Sequence, residues 1–277
     1  MFWDLSVAWD PKRAASLAEL ALRFGFTGIA HNVILTGQQV LSLRSHQCPI
    51  IPHTLPSSPG KSGPLWSSVA ADLGIEGPSS EGPLLQLRRI TLVASDVAQV
   101  AAAAQSSQLR PGYHIVAVRP TSHEAFVFAC EKGVCDIISI QLDDKVPFQM
   151  RRKDILSFLS RGGFFELELA PAIRDAGRRR ALLANAEQLL HATRGRNVLL
   201  SSAALEPLEM RSPHDMANFA AVLGLRGALG RQSVSEVPFR ALQRGALRHG
   251  CTQVICEPGR GPSNGEGVGD VDMEDAL

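Results

Sequence analysis

Long apolar runs are missing from this sequence. No stretch approaches the roughly 18 consecutive apolar residues that a bilayer-spanning helix needs, so no membrane span is expected. The opening "MFWDLSVAWD" has neither the basic region nor the cleavage pattern of a signal peptide, which points to an intracellular home. Cysteine is scarce: five in 277 residues, an odd number, give no disulfide framework and suit a reducing compartment. Cys130 and Cys135, like Cys251 and Cys256, stand five apart, and no second half of a zinc site accompanies either pair. Short catalytic motifs are missing too. No HxH or HExxH joins the scattered histidines, among them His31, His53, His114, His123, His191, His214 and His249. No GxSxG elbow surrounds Ser201 and Ser202, and "RFGFTG" and "LGLRGALG" lack the strand, glycine, helix order of a dinucleotide loop.

What is present is a full complement of core-forming residues, 45% hydrophobic, and a charge that is distributed unevenly. The net charge of +1 hides 10 basic and 12 acidic groups in residues 1–144, 17 and 9 in residues 145–256, and 1 and 6 in residues 257–277. The middle-to-late part is therefore +8 and the end −5. A folded segment with such an excess of cations is the electrostatic footprint of a polyanion partner.

The apolar runs alternate between strand and helix periodicity. Strands are expected at Phe2–Ala8, Gly28–Leu35, Arg89–Ser95, His114–Val118, Asp136–Leu142, Phe164–Leu169 and Asn197–Ala204. Between them lie helices, the first with the apolar face Ala14, Leu17, Ala18, Ala21 and Leu22, then Asp96–Ser107 and segments near 122–131, 152–161 and 178–192. Seven β/α units in one direction imply parallel strands with right-handed crossovers. At this length a (β/α) barrel is favoured over a doubly wound sheet. An obvious eighth strand is missing, since "RQSVSEVPFRALQRGALRHG" is amphipathic and basic and "CTQVICE" lies very late. The expectation is one incomplete TIM-like barrel over residues 1–256, interrupted by a Pro/Gly/Ser-rich insertion over 53–86 and followed by an acidic, disordered tail over 257–277.

In "NVLLSSAALEPLEMRSPHDMANFAAVLGL" a buried strand delivers the chain to a helix start. Ser212 reads as the N-cap, Pro213 as the first helical residue, Asp215 as the third and Gly224 as the stop. Arg211 beside that N-terminus suits an anion. Ser201 and Ser202 are expected to bond a backbone group or a bound phosphate, and Glu206 and Glu209 to orient neighbouring arginines or meet a protein partner. In "FFELELAP", Glu166 and Glu168 share one face of a strand. Paired carboxylates perform acid/base work or bind metal, but pairing with arginines inside or at the mouth of the barrel is the favoured reading. Basic clusters follow the fifth and sixth strands, with Lys145, Arg151, Arg152 and Lys153 after one and Arg174, Arg178, Arg179 and Arg180 after the other. Arg196 and Arg211 flank the seventh. Loops after successive barrel strands gather at one rim, so several guanidiniums are expected to face a common surface.

Together "FFELELAPAIRD", "RGRNVLLSSAALEPLEMRSPHDMANFAAVLGL" and "DKVPFQMRR" resemble the thirty-kilodalton protein subunit of eukaryotic nuclear and archaeal ribonuclease P, shared in eukaryotes with ribonuclease MRP. The resemblance implies an incomplete TIM-like barrel related to the PHP phosphoesterases. It implies a non-catalytic, RNA-binding subunit of a nuclear and nucleolar ribonucleoprotein whose RNA removes the 5′ leader of precursor tRNA, and a counterpart role in ribosomal RNA processing. The implied partners are ribonuclease P RNA, MRP RNA, a small ferredoxin-like subunit and other ribonuclease P proteins, with precursor tRNA reached through the complex. No cofactor is implied for this chain, and Mg2+ would serve the RNA. The family's basic positions fall on Lys145, Arg152, Arg174, Arg179, Arg180, Arg196 and Arg211. His31 precedes Asn32 where the family has the reverse order, and the first strand reads "FWDLS" where PHP enzymes carry an HxH metal pair. The alternative to the RNA-binding subunit is a free-standing, metal-dependent PHP-type phosphoesterase using Glu166 and Glu168.

Overall fold

The computed structural model describes residues 1–41, 83–105, 109–132 and 135–248. Most of the expected insertion, the acidic tail, the "CTQVICE" segment, His53 and His249 lie outside these described residues.

Seven parallel strands follow one another in chain order around the sheet. They are β1 (Trp3–Ala8), β2 (Gly28–Thr36), β3 (Leu85–Ala94), β4 (Ile115–Pro120), β5 (Ile137–Ser139), β6 (Phe164–Glu168) and β7 (Val198–Ser201). Of the helices, α1 (Ala14–Phe24) and α2 (Gln38–Leu41) flank β2, while α3 (Val97–Gln105), α4 (Leu109–Gly112), α5 (His123–Lys132) and α6 (Arg152–Ser160) lie between β3 and β6. α7 (Ala170–Arg174) and α8 (Ala176–Thr193) lead to β7, after which come α9 (Pro213–Leu223), α10 (Ala228–Gln232) and α11 (Glu236–Arg248). The expected strands are all present. β3 starts four residues before the expected Arg89, so Leu85 and Gln86 belong to the sheet and not to an insertion. The helix expected near 178–192 is preceded by the separate short α7, because Asp175 adopts an extended backbone and caps α8 by accepting from Arg178 N.

The missing eighth strand has a substitute. β1 meets the segment just beyond β7 through an isolated parallel bridge between Val7 and Ala204. Nearer their N-terminal ends two residues of the α10–α11 turn stand between them: Leu200 N donates to Ser233 O at 3.0 Å and Trp3 N donates to Val234 O at 2.9 Å. These two bonds satisfy backbone groups that a gap in the barrel would leave exposed. α11 then lies under the barrel, its Val237, Ala241, Leu242 and Ala246 packing against Trp3, Leu5, Leu85, Leu87, Ile115, Ile137, Phe164 and Leu199 inside it. A leucine buried in this way contributes roughly 1.5–3 kcal/mol. The approach is close enough to require Gly245, where a Cβ would stand 2.1 Å from the His114 carbonyl oxygen.

The interior changes character along the strands. Its lower layers are apolar; its upper layers hold Asn32, Arg89, Thr91, Ser139, Glu166 and Ser201, all buried. On β1 a register shift against β2 between Asp4 and Val7 turns the strand, so Trp3 and Leu5 join the inner cluster while Val7 packs outside with the helices. Among the described residues no helix is long and apolar enough to cross a membrane.

Candidate nucleic-acid interface at the barrel mouth

The polar interior is an ion-pair network. Arg89, inward-facing on β3 with Leu85, Leu87 and Thr91, meets Glu166 of β6 through two bonds of 2.5 Å, both side chains fully buried. The same guanidinium donates to Leu5 O at 2.8 Å and to Thr91 Oγ1 at 3.2 Å. Ser201 donates to Glu166 Oε1 at 2.6 Å. Burial alone would raise the Glu166 pKa, but the Arg89 charge and these donors hold it below the ordinary carboxylate value. One layer up, Arg119 of β4 pairs with Glu168, which also accepts from Ser139. Burial and the neighbouring Glu166 charge raise the Glu168 pKa against the pull of Arg119. The two carboxylates thus share a face, as their alternation requires, and arginines occupy both.

Above this network opens a hollow of about 160 Å³, lined by Ser6, Asn32, Arg119, Asp143, Glu168, Arg174 and Arg178. Its arginines are also committed. Arg174 holds Glu209 through two bonds, and Arg178 reaches Asp143 at 3.1 Å. Glu209 in turn accepts from Leu205 N and Glu206 N, and Arg13 pairs with Glu206 at 3.1 Å. Glu206 and Glu209 therefore orient arginines and cap the 3-10 turn Pro207–Glu209. Among the described residues no three His, Cys, Asp or Glu side chains cluster as a metal set, and residues 3–5 of β1 are Trp, Asp and Leu.

The basic residues singled out from sequence fall into three groups. Lys145, Arg152, Arg179 and Arg180 are exposed. They sit, with Arg151 and Lys153, in the β5–α6 segment and the first turns of α6 and α8, all beyond the C-terminal ends of the strands. Arg174 and Arg211 lie at the same end but are partly engaged, Arg211 donating to Leu208 O at 2.6 Å and Met210 O at 2.8 Å. Arg196 precedes β7 and so stands at the opposite end of the barrel, away from the common rim. Ser201 and Ser202 need correction. Both are fully buried; Ser201 donates to Glu166, and Ser202 Oγ to Ser6 O at 3.4 Å. Neither hydroxyl can meet a surface phosphate. The backbone alternative holds for Ser202 alone.

Sequence reasoning missed Arg89 and Arg119 as the partners of the paired glutamates. The available signal was parity: a charged residue in step with inward-facing apolar neighbours along a strand. The α9 start matches its expectation closely, with Ser212 Oγ accepting from Asp215 N at 3.2 Å, Pro213 in the first turn and Gly224 at φ +118°.

Comparison with known proteins agrees with this architecture. The family model described as RNase P subunit p30 matches residues 1–250. The mouse (Mus musculus) Ribonuclease P protein subunit p30 is 35% identical over 237 residues, covering 84% of this chain and 80% of its own. Protein GAMETOPHYTE DEFECTIVE 1 of Arabidopsis thaliana is 33% identical over 248 residues, and there the chain spans 42% of the relative's length. A chain of the archaeal Ribonuclease P solved by cryo-EM with mature tRNA superposes with a TM-score of 0.58 at 13% identity, covering 92% of this chain and 100% of that one. That likeness bears on the fold, a TIM-like barrel of seven parallel strands. The match over nearly the whole chain, on a barrel whose interior glutamates are held by arginines, makes this protein a member of the RNase P subunit p30 family.

Proposed function

We propose that this protein is an RNA-binding, non-catalytic subunit of ribonuclease P, and of the MRP particle, and that it grips RNA phosphates with the rim formed by the β5–α6 segment and the α6 and α8 N-termini. One observation carries the reading. Lys145, Arg151, Arg152, Lys153, Arg179 and Arg180 are exposed on neighbouring elements at one end of the barrel, and none of them is in an ion pair among the described residues. Guanidinium and ammonium groups that hold no carboxylate, beside two helix N-termini, suit phosphate oxygens.

In this reading the cleavage that releases the 5′ leader of precursor tRNA belongs to the RNA, which also holds the Mg2+. The protein works beside other subunits, a small ferredoxin-like one among them, in the nucleus and nucleolus. Arg174 and Arg211 serve the rim indirectly by shaping the turn after β7. A free-standing phosphoesterase is not favoured, because its candidate carboxylates Glu166 and Glu168 are already bound by Arg89 and Arg119.

Isolation of the tagged protein at low salt followed by sequencing of co-purified RNA tests the proposal. Recovery of a structured ribonuclease P or MRP RNA is expected, with its yield falling steeply as salt rises. Recovery of neither RNA would sink it.

A further inference from the structure

The end of the barrel opposite the mouth carries cations that hold no carboxylate in an ion pair among the described residues. Arg161 precedes β6, Arg194 and Arg196 precede β7, Arg226 lies between α9 and α10, Arg231 is in α10 and Arg240 in α11. All six are exposed, and none is in an ion pair among the described residues. At the mouth Arg13, Arg119, Arg174 and Arg178 each hold a carboxylate, and the rim cations named above do not.

These six belong to one surface. Arg244 of α11 donates to Arg161 O, tying the α6–β6 turn to that helix. The Arg240 guanidinium lies 5.9 Å from the Phe164 ring centroid, and that of Arg231 lies 5.9 Å from Phe2. Leu225 and Leu229 pack on the Gly195 turn, which brings Arg226 beside Arg194; a groove of about 280 Å³ there is lined by both arginines, His191 and one carboxylate, Glu187. A second hollow, of about 450 Å³, is walled by Phe2, Trp3, Ala228, Arg231, Glu236 and Phe239. Trp3 and Phe239 are stacked at 5.9 Å. The Trp3 indole N–H is buried without an acceptor among the described residues.

We propose that this N-terminal end is a second RNA surface, one that takes an unpaired segment: phosphates on Arg194, Arg226, Arg231 and Arg240, and an unstacked base in the hollow against Phe2 and Phe239, with the buried Trp3 behind them. The inference rests on the RNA-binding reading above. The charge selects a polyanion, since Arg194, Arg196, Arg226, Arg231 and Arg240 outnumber Glu187 and Glu236, the carboxylates that line the two hollows. The aromatic hollow beside the cations selects single strands, because a base paired within a duplex cannot enter a concave site, whereas an unstacked base offers its face to aromatic rings. The chain would then clasp RNA at both ends of its barrel.

The test uses the full chain and a short fluorescent single-stranded RNA bearing 5-iodouridine, with anisotropy read over a KCl series and photo-crosslinks mapped by mass spectrometry. The variant Arg226→Gln/Arg231→Gln/Arg240→Gln is expected to flatten the log K against log salt slope by about 2, at about 0.7 per lost phosphate contact. Phe239→Ala should weaken binding about fivefold or more and remove crosslinks to the Phe2–Trp3 peptide, with circular dichroism confirming an intact fold. The rim variant Arg179→Gln/Arg180→Gln should leave those crosslinks in place. An unchanged slope in the triple variant, with crosslinks confined to α6 and α8, overturns this inference and leaves the rim reading standing. Equal affinity for a duplex together with a neutral Phe239→Ala also overturns it. No RNA binding by any form overturns both.

Discussion

Replacing Arg89 with methionine should unfold this protein more readily than any comparable change at the mouth. The substitution keeps a long apolar stem but removes both bonds to Glu166 and those to Leu5 O and Thr91. Glu166 is left as a fully buried charge with the Ser201 hydroxyl as its nearest remaining donor. Breaking a buried pair from one side costs about 3–5 kcal/mol. With a Tm shift of about 2–4 °C per kcal/mol for a domain of this size, the expected loss is roughly 6–20 °C. Glu166→Leu alone should cost a similar amount by stranding the guanidinium. The double variant Arg89→Met/Glu166→Leu should cost less than the two singles summed, because neither charge is then buried alone. Urea unfolding of all four proteins gives the cycle. Additive single costs would refute the pair as the unit that holds the upper barrel. So would a Glu166→Gln protein of full stability that had lost a metal-dependent phosphatase activity, since the carboxylate would then be catalytic.

Other consequences are as specific. Asp4 is fully buried, and burial pushes its carboxyl up to about 6 from 3.8. Between those pH values the folded state holds the proton that the unfolded state releases, so stability falls as pH rises through the window, by about 3 kcal/mol in all, and is flat above it. Asp4→Asn keeps an acceptor for Ser6 N and Ser202 N and should abolish that slope in denaturation measured from pH 4 to 7. Gly245→Ala must push α11 off the His114 carbonyl and should cost about 1–3 kcal/mol in chemical unfolding; a neutral result would mean that the helix does not seat tightly under the barrel. Leu208 is 82% exposed, so Leu208→Ser should leave the Tm within a degree or two, whereas Glu209→Ala, which strips the cap from Leu205 N and Glu206 N, should open the turn to limited proteolysis.

The alternation of strands and helices, the parallel direction and the Ser212–Gly224 helix were all determined by the sequence itself. Each depends on periodicity, caps and turn residues acting within a few positions of one another. The basic rim was legible for a related reason: loops that follow parallel strands must emerge at the same end. Tertiary structure decided the rest. Whether Glu166 met a metal, a substrate or a cation depended on a residue 77 positions away on β3, brought into register by the barrel's closure. The same closure hid Ser201 and Ser202, which in sequence look like a loop start; Arg196 stands at the far end with five other arginines because it precedes β7. The missing strand was replaced by two residues, Ser233 and Val234, whose role lies in two backbone bonds that no side-chain pattern encodes.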